Sequence, residues 1–112
     1  MKEEKIRTIQ EYVPGKQITL LHIIAQPTED LFEKLGIEKG SIGIVTSTPG
    51  EAAIIAADIA SKAANITIGF LDRFTGSLVI SGDVGSVEAG LKEIKQVLTK
   101  VLDFTPCEIT RS

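Results

Sequence analysis

Apolar positions along this chain switch between a period of two and a period of three to four, and each switch marks a change of element. Lys16–Ala25 alternates as a strand does, with Ile18, Leu20, His22 and Ile24 expected on one face and Leu21 and Ile23 on the other. Pro27-Thr28 opens a short helix, Thr28–Leu35, with Leu31, Phe32 and Leu35 as its expected buried side and Gly36 as its stop. Glu29 and Asp30 sit in its first turn, where the helix dipole favours negative charge. Ser41–Ser47 returns to alternation, Ile42 and Ile44 against Val45.

The stretch Thr48–Leu91 organises the rest. Thr48 is the expected N-cap, Pro49 the first helical position, and Glu51, three residues on, completes a capping box. In the helix that follows, Pro49–Ala64, the residues Ala52, Ile55, Ala56, Ile59, Ala60 and Ala63 recur at helical spacing and predict the apolar face. After Asn65 the period becomes two, with Ile66, Ile68 and Phe70 expected opposite Thr67, Gly69 and Leu71. Arg73-Phe74-Thr75-Gly76 predicts a turn, Leu78 and Ile80 resume the strand pattern, and Asp83 is placed to cap a last helix. That helix, about Val84–Leu102, repeats Val87, Leu91, Ile94, Leu98 and Val101 at four, three, four and three. Thr105-Pro106 is its expected end, and Cys107–Ser112 a short extended tail.

The order is therefore strand, helix, strand, helix, strand, strand, helix. It predicts an α+β sandwich of ferredoxin-like character, with helices on one face of a mainly antiparallel sheet. At 112 residues the chain makes one domain and leaves no material for a second. A net charge of −3 and only four Phe and one Tyr argue against a nucleic-acid surface. A single cysteine, Cys107, excludes an intrachain disulfide and fits a reducing cytoplasm. No apolar run reaches membrane-spanning length, and the charged Met1–Arg7 lacks the apolar core of a secretion signal.

Candidate chemistry is sparse. His22, the one histidine, has no Cys/His cluster around it and reads as a strand residue bonded to a neighbour. Cys107 has no histidine near it in sequence and reads as inert. The helix starts at Thr48-Pro49-Gly50 and Gly82-Asp83-Val84-Gly85-Ser86 match no phosphate-binding fingerprint. No nucleophile, base and oxyanion site assemble, so no catalytic, cofactor or metal residues are assigned and no enzyme is expected. One face of the central helix gathers Ile54, Asp58, Ser61 and Lys62, with Asp58 and Lys62 spaced for an intrahelical pair. That face fits either a solvated surface or an oligomer edge. Near the start, Thr8–Val13 has strand character and is broken off by Pro14-Gly15. It is either a frayed terminus or a strand that needs a partner, in this sheet's edge or in another chain.

Several long segments resemble one family. AADIASKAANITIGFLDRFTGSLVISGDVGSVEAGL is similar to the shell-forming domain of bacterial microcompartments (BMC domain), in which Lys62-Ala63-Ala64-Asn65 would end a helix and Gly82-Asp83-Val84-Gly85 a strand. IQEYVPGKQITLLHIIAQP and GFLDRFTGSLV resemble the circularly permuted subunits of the ethanolamine-utilisation and propanediol-utilisation compartments, in which the segment matching Gln17–Leu35 comes first. The resemblance covers about Ile9 to Ser112. It implies a structural shell protein in the cytoplasm that forms a homohexamer, tiles with other shell proteins and meets targeting peptides of encapsulated enzymes. Lys62 resembles the family's edge lysine, which packs against its symmetry mate in the next hexamer, and Asp58 stands beside it. Phe74, Thr75, Gly76 and Ser77 resemble the loop lining the central pore. Thr8, Ile9, Gln10, Glu11, Tyr12 and Val13 resemble a strand that joins five copies of itself in a parallel β-barrel capping that pore. Residues 1–15 would then be tail and barrel strand, and 16–112 the permuted shell domain. Where the common form has a Pro-Arg-Pro-His segment, this chain has Ala25-Gln26-Pro27, so no edge arginine is carried over. The competing expectation is a metabolite- or nucleotide-binding regulator on the same architecture, which a cyclic trimer would favour.

Overall fold

The computed structural model describes residues 15–37 and 40–112. The expected strand Thr8–Val13 lies outside them. The elements run β1 (Gln17–Ile24), α1 (Glu29–Leu35), β2 (Ser41–Thr48), α2 (Ala52–Ala63), β3 (Thr67–Asp72), β4 (Ser77–Gly82), α3 (Val84–Lys100) and β5 (Ile109–Arg111). The strands form one five-stranded sheet in the order β3-β4-β2-β1-β5. All neighbours are antiparallel except β1 and β5, which run parallel, Leu21 beside Ile109. The tail expected after Pro106 thus closes one edge of the sheet.

The core lies between the sheet and the α2–α3 layer. Val87, Leu91, Ile94 and Leu98 of α3 are fully buried against Leu21, Val45, Leu78 and Ile80. No residue of α1 enters this cluster; Phe32 is buried separately, and so is Ile42, which alternation places on the opposite sheet face from Val45. Leu35, expected inside, is 42% exposed.

Two β-bulges correct the expected strand faces. In β1, Ile18 pairs with Ser47 and Leu20 with Thr46, so Thr19 is an extra residue. A bulge flips the side-chain phase beyond it. Ile18, Leu21 and Ile23 therefore share the core face, while Leu20 turns outward. In β3 the extra residue is Gly69: Ile68 lies across from Ile80, but Phe70 lies across from Val79. Ile68 and Leu71 thus share one face, and Phe70 takes the other.

The capping box does not form. Thr48 is the last residue of β2, held opposite Gln17, and the Thr48-Pro49 bond is cis. The helix starts later, capped by Glu51 without a side-chain bond, after turn bonds from Ala52 to Pro49 and Ala53 to Gly50, both 3.0 Å. The ladder kept Thr48 extended, which removed the geometry a cap needs. The apolar face of α2 is also rotated from expectation. Ala52, Ala53, Ala56, Ala57 and Ala60 are buried, whereas Ile55 and Ala63 are exposed. Gly90 of α3 faces Ala60 at a distance that leaves room for little more than a methyl group.

The start of α3 is as expected: Asp83 Oδ1 accepts the Ser86 amide at 2.9 Å. Its end is not. The helix stops at Lys100, Asp103 takes a positive φ of 62°, and Phe104 folds back into the core. Val101, expected on the apolar face, is left 72% exposed.

Candidate functional site

Three surfaces around this core gather the residues of interest. The first is the turn joining β3 to β4. Asp72 organises it: Oδ1 accepts the Phe74 amide at 2.9 Å, and the Asp72 carbonyl accepts the Gly76 amide at 2.9 Å. Gly76 has φ 78°, a conformation that glycine adopts without steric cost. The Phe74 amide, and then the Thr75 hydroxyl, hold the Asp72 carboxyl below its ordinary pKa by favouring the charged form. Thr75 Oγ1 donates to Ser77 Oγ at 3.0 Å. The Ser47 amide donates to the Gly76 carbonyl at 3.0 Å, tying the turn to β2. Gly50 lies against the Arg73 and Phe74 carbonyls where no side chain fits. Phe74, Thr75, Gly76 and Ser77 are thereby brought together on one well-tied projection. At its tip the Phe74 ring is 83% exposed, with the Arg73 guanidinium 5.0 Å from its centroid.

The second surface is the outer side of α2. Lys62 Nζ and Asp58 Oδ2 pair at 2.8 Å, as the spacing predicted, and both side chains are well exposed. Such a pair contributes only about 0.3–0.5 kcal/mol, so stability does not account for the two residues. Lys62 also borders a groove of about 250 Å³ between α2 and α3, with Ile59, Ala63, Glu93 and Val97. It stands at the opposite end of α2 from the Phe74 turn, and a helix of 12 residues is about 18 Å long. Ile54 and Ile55 of α2 and Ile68 of β3 are also exposed. Sequence reasoning placed Ile54 outside but Ile55 inside. Ala52, Ala53, Ala56, Ala57 and Ala60 form a second stripe at helical spacing, and a helix so rich in alanine leaves two faces equally plausible.

The third surface, which sequence reasoning missed, is a groove of about 470 Å³ between the second half of α3 and the segment 106–109. Lys92, Lys95, Gln96 and Lys100 line it with Pro106, Glu108 and Ile109. It exists only because β5 docks beside β1, which the tail's pattern did not announce. The Thr99 hydroxyl beneath it is shut off from solvent and has no hydrogen-bond partner among the described residues.

His22 holds β5 in place. Its Nδ1 lies 2.6 Å from Thr110 Oγ1 and its Nε2 2.8 Å from Ser112 Oγ, so both ring nitrogens are engaged, the neighbour-bonded role expected. Cys107 is half-buried, and burial pushes its thiol pKa up, opposed by the positive charge of Lys95; this disfavours the reactive thiolate. Among the described residues no group of three or more His, Cys, Asp or Glu is placed to hold a metal ion, and no helix is long and apolar enough to cross a membrane.

Comparison with known proteins gives a consistent result. Residues 41–110 match the family model described as BMC domain. The chain is 56% identical over 108 residues to the bacterial microcompartment shell protein PduU of Salmonella typhimurium, covering 95% of this chain and 93% of that one. It is 56% identical over 110 residues to the bacterial microcompartment shell protein EutS of Escherichia coli, covering 97% and 99%. Among solved structures, the CutR flat hexamer superposes with a TM-score of 0.87 at 55% identity, covering 92% of this chain and 96% of that one.

Proposed function

This chain belongs to the BMC-domain family and is a bacterial microcompartment shell protein; from that premise we propose that it works as a closed ring of six subunits that tiles edge to edge into the shell. The observation that carries this reading is the 55% identity to the CutR flat hexamer, spread over nearly the whole of both chains. A subunit contact depends on many side chains at once, and identity of that extent over the whole chain supports a like assembly. The exposed apolar side chains flanking α2 and β3 support the reading from the other direction. Apolar area of that kind on a small domain marks a surface that another protein covers.

Within the ring, the roles implied by family resemblance become proposals for these residues. The Phe74–Ser77 turn lines the central opening. Lys62, at the far end of α2, reaches the outer edge and meets its counterpart in the next hexamer, with Asp58 steering its side chain. Thr8–Val13 pairs with its copies around the axis as a parallel barrel over the opening. Six strands related by a rotation axis all point the same way, and closing the circle leaves no edge unpaired. The chain order is circularly permuted relative to the common domain. In support, the family model aligns only from Ser41 onward and leaves β1 and α1 outside the match. Other shell proteins are then its lateral partners, and targeting peptides of encapsulated enzymes its partners on one face.

Light scattering tests the ring directly. The expected mass is about six times that of the chain, as closed cyclic symmetry requires. Electron microscopy at high concentration should show sheets with hexagonal repeat. A stable monomer or trimer across the micromolar range would refute the closed ring.

A further inference from the structure

The groove between α2 and α3 carries two charges that are not paired with each other. Its α2 wall is Ile59, Lys62 and Ala63, which share one helix face. Its α3 wall is Glu93 and Val97, one turn apart. Ile59 and Val97 are half-buried and Ala63 is exposed, so the apolar part of the groove is open to solvent. Lys62 Nζ is held by Asp58 at 2.8 Å. Glu93 has no ion-pair partner among the described residues.

Edge-to-edge tiling fixes how this groove meets another copy. A ring of six contains a two-fold rotation about its own axis. Because that rotation leaves the ring unchanged, two rings set side by side with the same side up are also related by a two-fold axis midway between them. Their contact is therefore isologous: the same patch from both sides, with residue i on j and j on i. Where Lys62 meets its counterpart, the counterpart arrives with its own groove around it, and each lysine is offered the other's groove. Two lysines alone would repel across the axis. A lysine and an uncommitted acid on one rim make the patch complementary to itself.

We infer that Lys62 of each ring lays its aliphatic stem along Ile59 and Val97 of the facing subunit and sets its ammonium against that subunit's Glu93. This rests on the tiling reading above. A lysine stem covers apolar surface while its charged head stays at a polar rim, which is what this groove offers. Three ammonium hydrogens let Lys62 keep Asp58 while it donates to Glu93 across the axis. Asp58 thus aims the lysine, and Glu93 receives it.

A charge-swap series with the full chain tests this, with sheet formation followed by pelleting and electron microscopy across a range of concentrations. Lys62→Glu and Glu93→Lys should each raise the concentration at which sheets form by about tenfold or more, and the double variant should return it to within about threefold of the parent. Light scattering should give an unchanged ring mass, and circular dichroism an unchanged fold, for all three. If Lys62→Ala weakens sheets but Glu93→Lys does not, or if the double variant is no better than the weaker single, Glu93 is not the acceptor and the edge lysine stands without it. If Glu93→Lys breaks the ring, Glu93 lies within the ring and the contact is refuted. If the parent forms no sheets, or Lys62→Ala forms them as readily as the parent, the edge reading itself fails and takes this contact with it.

Discussion

Asp83 shows how much one side chain settles. It caps α3 through the Ser86 amide at 2.9 Å and also accepts the Ser86 hydroxyl at 3.0 Å. The amide, and then the hydroxyl, hold its carboxyl below the ordinary pKa. Asp83→Ala should lower stability at neutral pH, as loss of an N-cap does. The pH dependence has a definite sign. A depressed folded-state pKa adds stability above the unfolded pKa, and that stability is lost as pH falls through the folded value. Urea unfolding of parent and variant should therefore differ by a constant amount at neutral pH and converge below about pH 4, the ordinary carboxylate range. A gap that stays constant into strong acid would mean that the cap does not depend on charge.

At the scale of elements, close approach of α2 and α3 controls the packing. Small residues on both helices set the spacing, and Gly90 of α3 meets Ala60 of α2. A methyl group added there would stand 3.4 Å from Ile80 Cδ1 and 3.5 Å from Ala60 Cβ, in ordinary contact. Gly90→Ala should therefore fit and be neutral or stabilising by up to about 1 kcal/mol through helix propensity. Gly90→Val should overpack the helix layer and cost about 1–3 kcal/mol. Chemical denaturation of both variants checks the pair. Equal effects would show that the two helices separate freely. The same close packing explains the exposed isoleucines. Alanines take the inner face because larger side chains would hold the helices apart, which leaves Ile54 and Ile55 outside for another chain to cover.

For the whole molecule, the question is which surfaces serve the subunit and which serve the assembly. The Lys62–Asp58 pair is exposed, and its loss should hardly touch the fold. Lys62→Ala should change unfolding free energy by no more than about 0.5 kcal/mol, as at most surface sites. It should leave the ring mass unaltered and weaken sheet formation seen by electron microscopy. A variant whose rings fall apart would place Lys62 within the ring rather than between rings.

What could be read from sequence was local or wide in extent. The helix at Val84 was marked by a cap and a long period, and the Arg73–Gly76 turn by its glycine. The family was marked by long matched segments. These signals need only neighbours in the chain or identity over most of its length. What tertiary structure alone decided was phase and partnership. Thr19 and Gly69 became bulges because their partner strands imposed the register, so residues beyond them changed faces. Thr48 stayed in the sheet because Gln17 holds it there. The groove beside α3 required Ile109–Arg111 to find β1 across most of the chain, with His22 bonded to Thr110 and Ser112. Alternation along one segment carries no information about which distant segment it will pair with, and hydrogen bonding between strands chooses that partner only once the chain is folded.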